Sequence, residues 1–279
     1  MTPPTGGDPA LERRVTARLR AAGCVFAEEE AALLLAHATD TGLGTAGLEA
    51  LVARRCAGEP LELVVGWAEL GGVRVAVAPR VFVPRRRSLV LVDAADALLA
   101  STPRGRDGDA TVVLDLCCGT GAVGAVLLAR RPDLEVHAAD VDPDAVACAR
   151  RNLPADRVHE GDLFGALPRG LAGRVDLVVA NAPYVPSDAI ATMPPEARDH
   201  EALVALDGGP DGLDLHRRIA AEIGPWLAPG GSLVLETSVR QAPRTVEILT
   251  RAGMVCRTDH DDEVDGTAVV AHRDALGPA

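Results

Sequence analysis

The sequence is short of aromatic residues, of metal-ligand cysteine motifs and of long apolar runs, and its charge is strongly negative. Phe, Trp and Tyr are only 2% of the 279 residues, so the core must be built from the abundant Ala, Val and Leu. A net charge of −12 argues against a nucleic-acid partner, because affinity for phosphates rests largely on Lys and Arg. Pro84-Arg85-Arg86-Arg87 is the one dense basic run. The cysteines at 24, 56, 117, 118, 148 and 256 show neither a C-x-x-C pair nor Cys/His ligand spacing. No metal site is therefore expected, and reduced thiols in a cytoplasmic protein are. No apolar stretch approaches the roughly 20 residues that span a bilayer, so no membrane partner is expected. Residues 1–9 carry no basic-then-apolar signal and read as a disordered lead-in. Oligomeric state is not legible.

What is present divides into a small part and a large one. Residues 10–60 are helical in character, with Leu11, Val15 and Leu19 at helical spacing and breaks expected at Gly23, Gly42, Gly44 and Gly47. Residues 61–87 read as strands, a β-hairpin linker turning at Gly71-Gly72. From 88 to 279 strands and helices alternate. Ser88 is placed at the N-cap of a helix running to Leu99. Strands are expected at 112–116, 135–140, 158–160, 176–180, 232–237, 254–257 and 267–271. Helices are expected at 121–131, from Pro143, at 214–226 and at 239–251. The last two strands are separated only by an acidic turn, too short for a parallel crossover, so they should pair antiparallel.

The chemistry concentrates around Asp176-Leu-Val-Val-Ala-Asn-Ala-Pro-Tyr-Val-Pro186. Its apolar run is a buried strand, ended by Asn181-Ala182-Pro183-Tyr184, where proline stops the ladder. In open α/β sheets, chemistry sits beyond the carboxyl ends of the strands. This tetrapeptide would place a primary amide, stiffened carbonyls and an aromatic face there, a set suited to holding a planar nitrogen-bearing group. Asp115-Leu-Cys-Cys-Gly119-Thr-Gly121 forms the first strand-to-helix turn, where glycines admit a ligand close to the backbone. Asp115, Cys117, Gly119, Thr120 and Gly121 are candidate cofactor contacts. Asp140 ends the second strand, placed for ribose hydroxyls, with Val141 beside it. Gly161, Asp162 and Leu163 follow the third, with Asp162 facing an adenine amino group and Leu163 or Phe164 near the ring. Gly119-Thr-Gly121-Ala-Val-Gly124 also fits the dinucleotide G-x-G-x-x-G pattern, so the glycines alone leave nicotinamide and S-adenosylmethionine both open.

With these residues in hand, the chain resembles the HemK/PrmC family, which methylates a glutamine side-chain amide in translation release factors. The resemblance rests on the helical N-terminus, the hairpin ending in Val83-Pro-Arg85, the Asp115-to-Gly121 turn and the Asn-x-Pro-Tyr motif. It also rests on Ala205-Leu-Asp-Gly-Gly-Pro-Asp-Gly-Leu213 and Pro229-Gly-Gly-Ser-Leu-Val-Leu-Glu236. It implies a seven-stranded, Rossmann-like class I S-adenosylmethionine methyltransferase fold of the α/β class. It further implies cofactor contacts that include Asn181, substrate-amide contacts at Asn181, Ala182, Pro183 and Tyr184, and S-adenosylhomocysteine as product. The partner implied is a release factor or another glutamine-bearing protein, with no DNA. Two departures suggest a divergent subgroup. Ala182 replaces the first proline of Asn-Pro-Pro-Tyr, and Pro84-Arg-Arg-Arg-Ser-Leu89 replaces Pro-Arg-Pro-Glu-Thr-Glu. Methylation of a small molecule on nitrogen or oxygen is the alternative, and an NAD-dependent oxidoreductase is the alternative of a different class. His200-Glu201 is expected as a solvated loop pair, and Asp207 to Gly212 as a turn rather than a mobile flap.

Overall fold

The computed structural model describes residues 8–101 and 110–273. Most of the expected disordered lead-in, residues 1–7, lies outside them, and Pro9 already opens a helix. The described chain separates into two compact units that divide after Trp67.

The first unit is four helices: α1 (Pro9–Ala21), α2 (Ala27–Asp40), α3 (Gly44–Cys56) and α4 (Leu61–Val65). Asp8 caps α1, its carboxylate accepting from the Ala10 N–H, and Pro9 takes the first turn, where a missing N–H costs nothing. Val15, Leu19, Leu34, Leu48 and Val52 form the centre of its core. Two expectations change. Gly47 lies inside α3 rather than breaking the chain. Leu61–Val65, read as the start of the hairpin linker, is helical, because Val64 and Val65 are buried against the helical core and tertiary packing overrides β-propensity.

The hairpin itself is shorter than 61–87. It pairs β1 (Trp67–Leu70) with β2 (Val73–Ala76). Gly71 and Gly72 both have positive φ, the requirement of a type I′ turn whose twist suits the strands.

The second unit is organised on a seven-stranded sheet. Its strands are β3 (Val112–Leu116), β4 (Glu135–Asp140), β5 (Val158–Glu160), β6 (Val175–Ala180), β7 (Leu227–Thr237), β8 (Met254–Asp261) and β9 (Gly266–Arg273). Their spatial order is β5-β4-β3-β6-β7-β9-β8, with β9 antiparallel to both neighbours. The helices are α5 (Leu89–Ser101), α6 (Ala122–Arg130), α7 (Pro143–Ala149), α8 (Pro195–His200), α9 (Asp214–Glu222) and α10 (Ala242–Arg251). Helix α9 stops before its expected end at 226 because Pro225 disfavours helical backbone at the residue before it. Helix α10 starts at 242, not 239, with Pro243 in its first turn. Strand β7 pairs Leu227 and then Ser232 with β6, so Ala228 to Gly231 bulge out of the ladder.

Period-two alternation sorts the central strands. Leu114, Leu116, Val178, Ala180, Leu233 and Leu235 face a core completed by Ile219 of α9 and Leu249 of α10. Asp115 alternates to the other side, towards α6. Chain order reverses at β3, with β4 on one side and β6 on the other. The crevice outside a reversal point is where open α/β sheets bind ligands.

Candidate active site

A cavity of about 800 Å³ occupies that crevice. Asp115, Cys117, Gly119, Thr120, Asp140, Val141, Asp162 and Leu163 line it, together with Asn181, Ala182, Pro183 and Tyr184. Gly121 and Gly161 are not among its lining; they shape the turns behind it. Gly121 has φ +73, and a Cβ there would stand 2.8 Å from Leu153 Cδ1. Phe164, expected near an adenine ring, is turned away. It is buried in the core, stacked on Trp226 with ring centroids 6.1 Å apart.

The turn after β3 is held from below. Asp115 Oδ2 accepts the Gly124 N–H at 2.9 Å, tying strand to helix α6. Full burial pushes the Asp115 carboxyl up to about 7, against the lowering effect of that hydrogen bond. Asp140 Oδ2 accepts the Gly119 N–H at 2.8 Å and Oδ1 the Asp142 N–H at 3.0 Å. Each oxygen keeps lone pairs for a further donor. Asn152, not anticipated from the sequence, donates to the Thr120 and Ala76 carbonyls, both at 2.9 Å, and fastens the glycine turn to the hairpin. Burial raises the Cys117 and Cys118 thiols well above their ordinary range, so they are not nucleophiles.

Asp162 is engaged in the structure. Arg218 of α9 grips its carboxylate with two hydrogen bonds, at 3.0 and 2.8 Å, and holds it below the usual carboxylate range. Arg218 lines the same cavity. Nothing local in the sequence announces this pair, whose members are 56 residues apart.

The Asn-Ala-Pro-Tyr turn follows β6 and is clamped on several sides. Val185 donates to the Leu206 carbonyl at 3.1 Å and accepts from the Gly208 N–H at 2.9 Å. Gln241 Nε2 donates to the Tyr184 carbonyl at 2.9 Å and to that of Asp211 at 3.2 Å. A Cβ on Gly208 would meet the Pro183 carbonyl oxygen at 2.7 Å, and one on Gly212 the Tyr184 carbonyl oxygen at 2.3 Å. The glycine-rich stretch 207–212 is thus a buttress for the motif, as a turn, and its glycines are there for close approach.

Behind the motif, Asn181 Nδ2 donates to Ser88 Oγ at 3.2 Å, and the Tyr184 hydroxyl donates to Glu236 Oε1 at 3.2 Å. Ser88 stands immediately before α5, at the expected N-cap position, as the last residue of a three-residue 3₁₀ turn, Arg86–Ser88, and its hydroxyl accepts from Asn181. Arg87 Nε lies 3.5 Å from Glu236 Oε1. Burial, the Glu236 charge and its hydrogen bond raise the Tyr184 phenol, so it stays protonated. Glu201 is not a solvated loop residue. It is buried, accepting from Arg85 Nη2 at 2.5 Å and from the Val83 N–H at 3.3 Å. Arg85 of the basic run is thus paired with a buried carboxylate, while Arg86 and Arg87 are exposed, Arg87 with its Nε against Glu236.

The cavity fits S-adenosylmethionine. Gly119 has φ +54 and the nearest atom to a Cβ built there is 3.9 Å away, so the backbone is bare where a ligand would lie. Asp140 offers unused acceptor capacity beside it.

Residues 74–197 match the family described as Methyltransferase small domain. The chain is 39% identical over 216 residues to the release factor glutamine methyltransferase of Streptomyces coelicolor, covering 76% of this chain and 75% of that one. It is 37% identical over 257 residues to the Deinococcus radiodurans protein of the same name, covering 87% and 90%. Among solved structures, a methyltransferase from Pyrococcus furiosus superposes with a TM-score of 0.50 at 18% identity, over 72% of this chain and 89% of that chain. A T. thermophilus 16S rRNA N2 G1207 methyltransferase, solved with AdoMet and guanosine, gives 0.50 at 22% identity, over 75% and 50%. These two likenesses establish the class I methyltransferase fold. With identity sustained over most of both chains, this protein belongs to the HemK/PrmC family of release factor glutamine methyltransferases, which are S-adenosylmethionine-dependent enzymes.

Proposed function

We propose that this enzyme methylates the side-chain amide nitrogen of a glutamine in a protein release factor. The observation that carries the reading is the placement of Asn181-Ala182-Pro183-Tyr184 on the same cavity as Gly119 and Asp140. A motif with amide and carbonyl acceptors thus shares one enclosure with the cofactor cradle.

An amide nitrogen is a weak nucleophile because its lone pair is delocalised into the carbonyl. In this reading the Asn181 side-chain oxygen and the Ala182 carbonyl each accept one N–H of the glutamine amide. The nitrogen is fixed in place and its electron density raised. Tyr184 packs against the amide plane, its hydroxyl anchored on Glu236. Pro183 and the Gly208 and Gln241 contacts keep the acceptors from relaxing away. S-adenosylmethionine, when bound, supplies an electrophilic methyl group on a sulfonium. Orientation and aligned dipoles then account for most of the acceleration. No strong base is needed before transfer; the proton leaves to water afterwards. Replacing Pro by Ala182 removes a ring and leaves the carbonyl, so the acceptor pair is retained.

In the Pro84-Arg-Arg-Arg-Ser-Leu89 run, Arg85 is held by the buried Glu201 and Arg87 lies against Glu236 at the rim of the cavity. Asn181→Ala is the test. Methyl transfer to a release factor should fall about 10²–10³-fold, the scale of losing one preorganised polar group, with S-adenosylhomocysteine affinity changed by no more than a few-fold. Unchanged turnover would remove the account.

A further inference from the structure

Helix α9 contributes Leu215 and Arg218 to the lining of the cavity, one turn apart and so on one face of the helix. The turn after β5 contributes Asp162 and Leu163. Leu163 and Leu215 belong to one apolar cluster, and the charged pair stands beside them. Arg218 and Asp162 meet end-on, Nη1 donating to Oδ1 at 3.0 Å and Nη2 to Oδ2 at 2.8 Å. Nη2 also donates to Glu222 Oε1 at 3.3 Å, a second anchor on the same helix. The side chains of Arg218 and Asp162 are 43% and 61% exposed. An ion pair so open to water adds little to stability, so holding the fold together does not account for it.

The backbone around Asp162 is tightly constrained. Leu163 has φ +46, a left-handed conformation uncommon for a leucine. The Gly161 N–H donates to the Asp140 carbonyl at 2.9 Å, and a Cβ on Gly161 would stand 3.0 Å from Ala166 Cα. Asp162 occupies the N-cap position of the 3₁₀ turn Leu163–Ala166, yet its carboxylate caps nothing and is turned to Arg218. Backbone strain of this kind persists only where the surroundings over-determine it, and it clusters at ligand clamps.

We propose that Arg218 is a specificity-determining positioning residue: its end-on grip fixes the direction in which Asp162 accepts, so that the enzyme takes a cofactor carrying adenine and rejects one carrying hypoxanthine. The proposal concerns the cofactor end of the cavity and is independent of the methyl acceptor. An ionised carboxylate offers about four lone-pair sites, and Arg218 takes two. The others belong to a side chain that lines the cavity, next to the apolar surface of Leu163 and Leu215. Adenine presents an exocyclic N–H to such an acceptor. Hypoxanthine has a carbonyl oxygen at that place, so two acceptors would oppose each other without a proton between them. A site built this way discriminates through the mismatch as much as through the match. Without Arg218, the Asp162 carboxylate is free to rotate away from the base, and the mismatch is relieved.

The test is isothermal titration with S-adenosylhomocysteine and with its analogue in which a carbonyl oxygen replaces the exocyclic amine. The wild-type protein should prefer S-adenosylhomocysteine about 10²-fold, and Arg218→Ala should lower that preference about tenfold, the scale of a hydrogen bond to a charged group. Arg218→Lys should fall between them, because an ammonium cannot take both carboxylate oxygens end-on. Arg217→Ala is the control. Arg217 is held by Asp211 and Asp214, does not line the cavity, and should leave the preference at its wild-type value. A merely structural role for Arg218 would weaken both ligands by the same factor and leave the ratio unchanged, and that result would overturn the proposal. So would a wild-type protein that binds the two ligands equally well.

Discussion

Adding one methyl group at Gly208 should slow catalysis without touching the cofactor. Its Cβ would stand 2.7 Å from the Pro183 carbonyl oxygen, 2.8 Å from the Gly212 carbonyl oxygen and 2.8 Å from Tyr184 Cα. All three obstacles are backbone, so no side chain can swing away. Restoring ordinary van der Waals separation requires a displacement of about half an ångström, shared between the buttress and the Asn-Ala-Pro-Tyr turn. Overpacking of this kind costs about 1–3 kcal/mol. For a domain of this size that is a fall in Tm of roughly 2–10 °C. A misplacement of about 1 Å costs about 10²-fold in rate, so half of it implies a kcat about tenfold lower. The assay is Gly208→Ala against Gly170→Ala, whose added Cβ meets nothing within 4 Å. Steady-state methyl transfer, S-adenosylhomocysteine titration and thermal unfolding are read side by side. Normal kcat in Gly208→Ala despite a lowered Tm would show that the glycine-rich stretch stabilises the fold without positioning the motif.

Three further outcomes follow from the geometry. Asp115, raised to about 7 in the folded state from its model-peptide value near 4, binds more protons folded than unfolded between those pH values, so its contribution to stability falls as pH rises. His216, lowered by burial to about 4, acts in the opposite sense below about 6.5. The comparison is therefore between wild type and Asp115→Asn: the variant should gain stability relative to wild type from pH 5 to pH 8 in urea unfolding, and a constant difference would contradict the assignment. Glu201→Ala should lower the unfolding free energy by about 1–3 kcal/mol, read from urea titration, because Arg85 and the Val83 N–H lose their carboxylate partner. Arg218→Ala frees Asp162 and should change S-adenosylhomocysteine affinity more than kcat, as measured by isothermal titration.

Much of the sheet was legible because its strands are apolar runs closed by turn-formers. The edges of 112–116, 135–140 and 158–160 coincide with the structure for that reason. The antiparallel ending was legible from the shortness of the last connection. The helix at Leu61–Val65 was not, since Leu-Val-Val carries a strand's local signature and only packing decides against it. Cavity-lining residues that sit in a motif, such as Asp115, Asp140 and Asn181, could be singled out from sequence. Their supports could not. Ser88 lies 93 residues from Asn181, Gln241 lies 57 from Tyr184, and Glu201 lies 116 from Arg85. Such pairs have no local pattern; the fold alone brings them together. Phe164 was misplaced for a related reason, because a residue one position beyond a cavity-lining Leu163 turns into the core.

The central claim is that this site methylates a glutamine amide in a release factor. It is tested most directly by incubating the enzyme with labelled S-adenosylmethionine and a release factor carrying Gly-Gly-Gln, then locating the label by mass spectrometry. The account predicts a single methyl group on the side-chain nitrogen of that glutamine, absent with Asn181→Ala. An unlabelled release factor, with S-adenosylhomocysteine binding intact, would contradict it.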